Sequence, residues 1–202
     1  MTTASMSTAP GQVAAQPDPA PRRPTARRLS ALVVAAQLAL LLTACSEPEE
    51  KRSFTPPPDL CGTPVPTASL DAVLPKSGKT LETRAQSREV GRTHCEVVVD
   101  DTLALSAFSE WKKGDSLTKV AHSNPFVDLD EHTSEDGTYV WSNRGGVRLV
   151  SCPVAEKKHP ERDLFIRVLI YDKKFSDADA AKKLLLAYAK SVADSVDCKA
   201  AA

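Results

Sequence analysis

The sequence predicts an α+β fold: an antiparallel sheet packed by a long C-terminal helix and stapled by two disulfides. Three observations lead there. Short apolar segments, several alternating with period two, are separated by turn residues, as antiparallel strands require. An apolar stripe at helical spacing runs from about Asp177 to Val196 near the C-terminus. Four cysteines, Cys61, Cys95, Cys152 and Cys198, are spread over the same region, an even set in a chain that begins with an export signal.

The elements follow in order. Thr67–Pro75, TASLDAVLP, reads as a short helix with Thr67 as its cap and Pro75 as its stop. HCEVVVDDTLALSAFSEW reads as two strands around an Asp100-Asp101 turn, with Leu103, Leu105, Ala107 and Trp111 keeping period two. GDSLTKVAHSNP suggests a helix capped by Asp115 and closed before Pro125. The clearest hairpin is Tyr139–Ser142, a turn through Asn143-Arg144-Gly145-Gly146, then Val147–Cys152, with the glycines supplying positive φ. Leu164–Asp172, LFIRVLIYD, is almost entirely apolar and so is expected at the centre of the sheet. In the last helix Ser176 and Asp179 resemble a capping box. Ala181, Leu184, Leu185, Tyr188, Val192 and Val196 form the face laid on the sheet.

Before this domain the chain has a different character. Residues 1–28 are rich in Pro, Ala and Thr, with four arginines, and cannot bury enough apolar surface to fold. Residues 29–42, LSALVVAAQLALLL, are apolar but shorter than the roughly 20 residues a membrane-spanning helix needs. A basic stretch followed by a short apolar one is the layout of a signal peptide, here residues 1–44. The paired arginines leave general secretion and twin-arginine export both open. Residues 45–58 contain charged residues and Pro56-Pro57-Pro58, and read as an extended spacer reaching some tens of ångströms. The globular domain is expected over residues 59–199, with 200–202 a tail; about 140 residues suffice for one core.

The end of the apolar run is specific. Leu42-Thr43-Ala44-Cys45, LTAC, resembles the lipobox of bacterial lipoproteins: an aliphatic residue, two small residues, then cysteine. That resemblance implies a diacylglyceryl thioether on the Cys45 sulfur and cleavage just before it. The protein would then sit on the outer side of the cell membrane, held by acyl chains worth roughly 0.8 kcal/mol per buried CH₂. Four arginines and one aspartate precede Cys45, so 22 basic and 25 acidic residues follow from there, a net charge of −3. A mildly acidic mature chain argues against nucleic acid as a partner and lacks a polybasic strip for anionic lipid.

Setting Cys45 aside, the other four cysteines allow three pairings. Cys61–Cys95 with Cys152–Cys198 is preferred, because each bridge would tie an end of the domain to a strand. Loops of roughly 35 to 47 residues each correspond to about 4 kcal/mol in the chain-entropy picture. The competing use of cysteine is zinc. No C-x-x-C occurs, and His94, His122, His132 and His159 lack ligand spacing, so no metal and no cofactor is expected.

Lipobox, proline-containing linker, DLC, a short helix ending AVLP, HCEV, a mid-chain SCP and a C-terminal helix ending in Cys together resemble small actinobacterial, streptomycete-like surface lipoproteins. The resemblance runs from about Cys45 to Cys198. It implies an address in the cell envelope rather than a reaction.

No catalytic constellation appears. There is no G-x-S-x-G, and the four paired cysteines leave no nucleophilic thiol. Asp100-Asp101 and Asp128/Asp130/Glu131 read as solvated turns rather than a glycosidase pair. Gly145-Gly146 lacks the Lys-Ser/Thr that a phosphate loop requires. The expectation is a non-enzymatic module binding an envelope ligand or protein, with a passive structural protein or an envelope hydrolase as alternatives. Trp111, Tyr139 and Trp141 are the candidate binding residues, against an ordinary role in filling the core. The acidic segment Val120–Gly137 is either an exposed functional loop or a plain connector.

Overall fold

The computed structural model describes residues 51–86, 91–124 and 128–199, with only the backbone at 155 and 156. The signal region, Cys45 and residues 200–202 lie outside the described residues, as do Pro125–Val127 within the acidic segment.

A small hairpin, β1 (Asp59–Leu60) and β2 (Thr63–Pro64), leads into helix α1 (Thr67–Val73). Then come β3 (Leu81–Gln86), β4 (Arg92–Val99), β5 (Thr102–Lys112), α2 (Leu117–Ala121), β6 (His132–Thr133), β7 (Tyr139–Ser142) and β8 (Gly145–Val150). A turn of helix α3 (Pro153–Glu156), the strand β9 (Asp163–Ile170) and the long helix α4 (Ala178–Ala193) complete the fold. The main sheet has seven strands in the order β3-β4-β5-β9-β8-β7-β6, every neighbouring pair antiparallel. The expected α+β architecture is therefore present, with α4 across the sheet.

The apolar strand β9 is fourth of the seven, and this position explains its composition. It is buried on both faces, so seven of its eight residues lack solvent contact. On one face Leu164, Ile166, Val168 and Ile170 join Leu105 and Ala107 of β5 beneath α1 and α4. On the other, Phe165 and Leu169 meet Phe108, Val140 and Val147 beneath α2 and Leu129. Two layers of helix thus share one sheet, and β9 feeds both cores.

Several local expectations need correction. Asp177, not Ser176, caps α4, its carboxylate accepting from the Ala180 N–H at 2.9 Å. Val196 does not face the sheet: α4 ends at Ala193 and Val196 is 89% exposed, because the chain turns there to bring Cys198 to Cys152. Thr67 is the first helical residue of α1; Pro66 holds the cap position without a side-chain bond. Ser116, not Asp115, caps α2, and Asp115 pairs with Lys119 one turn on. Gly145 and Gly146 begin β8 rather than forming the turn, since Ser142 pairs with Gly145. A Cβ on Gly146 would stand 2.4 Å from the Val140 carbonyl oxygen and 2.8 Å from Leu185 Cδ2, so glycine lets α4 lie directly on the strand. The Asp100-Asp101 turn is as expected: φ of 46° and 61° suit a primed hairpin turn. In the acidic segment Leu129 is fully buried, and the Ser142 hydroxyl donates to the Asp128 carbonyl at 2.6 Å. This part of the segment plugs the second core.

The spacer expected over residues 45–58 is already part of the fold from Arg52. The Arg52 N–H donates to the Lys76 carbonyl at 3.1 Å and the Ser53 N–H to the Gly78 carbonyl at 2.9 Å. The Arg52 guanidinium pairs with Asp71 of α1, and Phe54 packs on the main core. An apolar ring and a partly exposed ion pair two residues apart lay an otherwise polar segment on the surface. The domain therefore begins about seven residues before the expected boundary, at Arg52 rather than Asp59.

Candidate functional site

The two disulfides, Cys61–Cys95 and Cys152–Cys198, are those preferred from the sequence. Their placement defines a site. Cys61 lies in the turn of the β1–β2 hairpin and is pinned to mid-β4; Cys152 follows β8 and is pinned to the chain after α4. Both bridges border one open cleft of about 640 Å³. Its walls are the β1–β2 hairpin, the ends of β4 and β5, the loop after α3, and the last turns of α4.

Trp111 stands in this cleft, at the end of β5. The His159 ring lies parallel to it, with centroids 4.5 Å apart and planes 16° apart. Gly91 takes a φ of +80° that favours glycine, and the Trp111 N–H donates to its carbonyl at 2.9 Å. The loop carrying His159 is held by a turn in which Arg162 N–H bonds the His159 carbonyl, and by the Lys113–Glu161 ion pair. The rest of the lining is largely polar, with Pro64, Leu164 and Val192 adding apolar surface. Ser109, Ser191 and Ser195 contribute hydroxyls, Lys158 a cation, Arg92 a second cation and Asp197 an anion. At the back, the Tyr188 hydroxyl bonds Thr63 and Thr93, tying α4 to the hairpin and to β4; burial pushes its pKa up, so it stays protonated. The cleft thus offers a flat aromatic platform with hydrogen-bonding walls, already cross-linked in shape.

Tyr139 and Trp141 do not join Trp111. They lie on β7, three strands across the sheet from β5, or about 14 Å at ordinary strand spacing. There they form a separate patch. The Lys182 ammonium of α4 sits 4.3 Å from the Trp141 ring centroid and 5.7 Å from that of Tyr139. His132 and Arg148 flank the two rings. Lys182 covers the rings with its own cation, and this is packing of α4 on the sheet rather than an open platform. Cys45 lies outside the described residues. His159, Tyr188 and Lys158 are cleft residues that sequence reasoning missed, because they come from a loop and a helix joined to β5 only by the tertiary fold.

The opposite sheet face holds a charged cluster. Arg167 of β9 is paired with Glu110 of β5 at 2.7 Å, both side chains under 10% exposed, and donates to the Ser123 hydroxyl at 2.5 Å. The other oxygen of Glu110 faces Lys112 at 3.2 Å and Arg92 at 3.9 Å. The guanidinium carbons of Arg92 and Arg167 sit 4.9 and 4.6 Å from the centroid of Phe108, whose ring stacks on His94. Burial pushes both His94 and Arg167 below their ordinary pKa values, with Glu96 and Glu110 respectively opposing the shift. Such a filled cluster serves packing, with the buried Arg167 Nε left without a partner; its ring stack and ion pairs leave no platform for a ligand.

A groove of about 910 Å³ lies at the other end of the strands, among Leu103, Tyr171, Phe175 and the loop after α1. His122, Asp128 and Asp130 bring three ligand-type atoms within 4.8 Å of one another, and His122 already bonds Asp130 at 3.0 Å. No described helix is long and apolar enough to cross a membrane. No family model, curated protein or solved structure matches the chain.

Proposed function

We propose that this protein is a lipid-anchored, extracytoplasmic binding module of the cell envelope, with its ligand seated in the Trp111 cleft. In this reading Cys45 becomes the first residue of the mature chain and carries the diacylglyceryl group. The observation that carries the binding half is the cleft itself: five separate chain segments converge on one aromatic pair and are cross-linked by both disulfides. Such a site loses little conformational entropy when it fills, which raises affinity for a given set of contacts. Its lining of hydroxyls, two cations and one carboxylate suits a polar, ring-bearing ligand better than a lipid tail. Two bridges in one small domain also suit an oxidising compartment, as an exported chain meets.

Thermal denaturation of the mature protein against soluble envelope fragments, namely oligosaccharides, muropeptides and polyol phosphates, tests this. A true ligand at 100-fold excess over Kd stabilises by about 2.7 kcal/mol. That gain is expected to vanish in Trp111→Ala and to survive in Trp141→Ala. Recovery of the ligand unchanged, by mass spectrometry, supports a binder; its conversion would make the module an enzyme and overturn the non-enzymatic reading.

A further inference from the structure

Residues 52–54 are docked on one end of the domain. The seat is built on both sides. Arg52 pairs with Asp71 of α1, and its guanidinium carbon lies 5.1 Å from the Phe54 ring centroid. Backbone bonds from Arg52 and Ser53 run to Lys76 and Gly78, and the Ser53 hydroxyl reaches the Lys79 carbonyl at 3.2 Å. A Cβ on Gly78 would stand 3.1 Å from Phe54 Cε1 and 2.6 Å from Val99 Cγ1, so only glycine leaves room for the ring. Asp100 fixes the same loop from the β4–β5 turn, accepting from the Lys79 and Thr80 N–H groups at 2.9 and 2.8 Å.

This seat lies at one end of the strands and the Trp111 cleft at the other. Ala104, on the groove beside the seat, and Trp111 stand seven residues apart on β5, about 24 Å at strand rise. From Arg52 the chain runs through Pro56-Pro57-Pro58 to Cys61, so the prolines strap the domain rather than hold it off. Between Cys45 and Arg52 lie seven Cα steps, which reach about 25 Å at most; were the strap free as far as Leu60, the reach would be about 50 Å.

We propose that residues 52–54 clamp the anchor to one end of the domain. The Lys76–Thr80 loop and the Asp100-Asp101 turn then lie against the lipid surface, and the Trp111 cleft faces outward. This rests on the reading that Cys45 carries lipid. Charge does not set the orientation: Lys76 and Lys79 at the seat are balanced by Asp100 and Asp101, so neutral lipid serves as well as anionic lipid.

The test uses the mature chain in phosphatidylcholine vesicles containing a headgroup nitroxide quencher, with a fluorophore on Ser77→Cys or on Lys157→Cys. Quenching is expected to be several-fold stronger at position 77 than at 157. The difference should fall away in the Arg52→Ala/Asp71→Ala double variant, whose leash is released. Equal quenching at both positions in the otherwise unaltered chain would overturn the proposal. Vesicle flotation and the mass of the N-terminal peptide report separately whether Cys45 is natively acylated. If it is not, coupling a maleimide phospholipid to Cys45 supplies the anchor, and the same pair of probes still decides the orientation.

Discussion

Glu110→Ala isolates the buried Glu110–Arg167 ion pair. The Glu110 and Arg167 side chains are 7% and 8% exposed and meet at 2.7 Å. Removing the carboxylate leaves the Arg167 guanidinium buried beside Arg92 and Lys112 with no anion between them. Breaking one side of such a pair costs about 3–5 kcal/mol, because a charge stays desolvated without compensation. Arg167 keeps its bond to Ser123 and its stack on Phe108, which points to the lower end, about 3 kcal/mol. At about 2–4 °C per kcal/mol for a domain of this size, Tm should fall by about 6–12 °C. Urea denaturation followed by tryptophan emission measures the loss directly. The companion variants are Arg167→Met and the double Glu110→Ala/Arg167→Met. With both charges gone no group is stranded, so the double variant should regain about 2 kcal/mol relative to the sum of the singles. A loss below about 1 kcal/mol in Glu110→Ala, or strict additivity across the cycle, would refute the account of a buried interdependent pair.

Gly146→Ala forces Leu185 off β8 and should cost about 1–3 kcal/mol, read from its denaturation midpoint. His94 is held neutral in the fold by burial, so its contribution is complete above its unfolded value of about 6.5 and is lost as pH falls through the lower folded value. His94→Gln should therefore lose less stability than the unaltered protein between pH 7 and pH 5. Cys152→Ser/Cys198→Ser opens a loop with a sequence separation of 46 residues and should cost up to about 4 kcal/mol. The same change should loosen the His159 loop, shown by faster amide exchange after α3 while β9 stays protected.

Much of the fold was legible because it rests on local rules. The period of Ala181, Leu184, Leu185 and Tyr188 marks one side of a helix whatever lies beneath it, and these residues are buried. The apolar strand at 164–172 had to be central, since no edge position hides both faces. The bridges present are the preferred pairing, in which each tie joins an end of the domain to a nearby strand and closes a loop of moderate length. What misled was local chemistry with more than one solution. Ser176 and Asp177 can both cap a helix, and two glycines after Asn143-Arg144 can serve either a turn or a close approach. Which one applies depends on where Leu185 lands.

The site was less legible than the fold. Side-chain chemistry alone singles out Trp111, Tyr139 and Trp141, and the structure separates them: one stands in the disulfide-bordered cleft and two lie under Lys182. His159 carries no sequence signal, because what makes it a cleft residue is a loop folded back over β5. The sequence by itself determined the elements, the bridge-forming cysteines and the expected lipid-bearing residue, since each is written in neighbouring residues. Only the tertiary structure decided that β5 pairs with β9, that both bridges border one cleft, and that the proline segment is a strap. Those depend on contacts between residues tens of positions apart, whose strength is set by shape and burial once the chain has closed on itself.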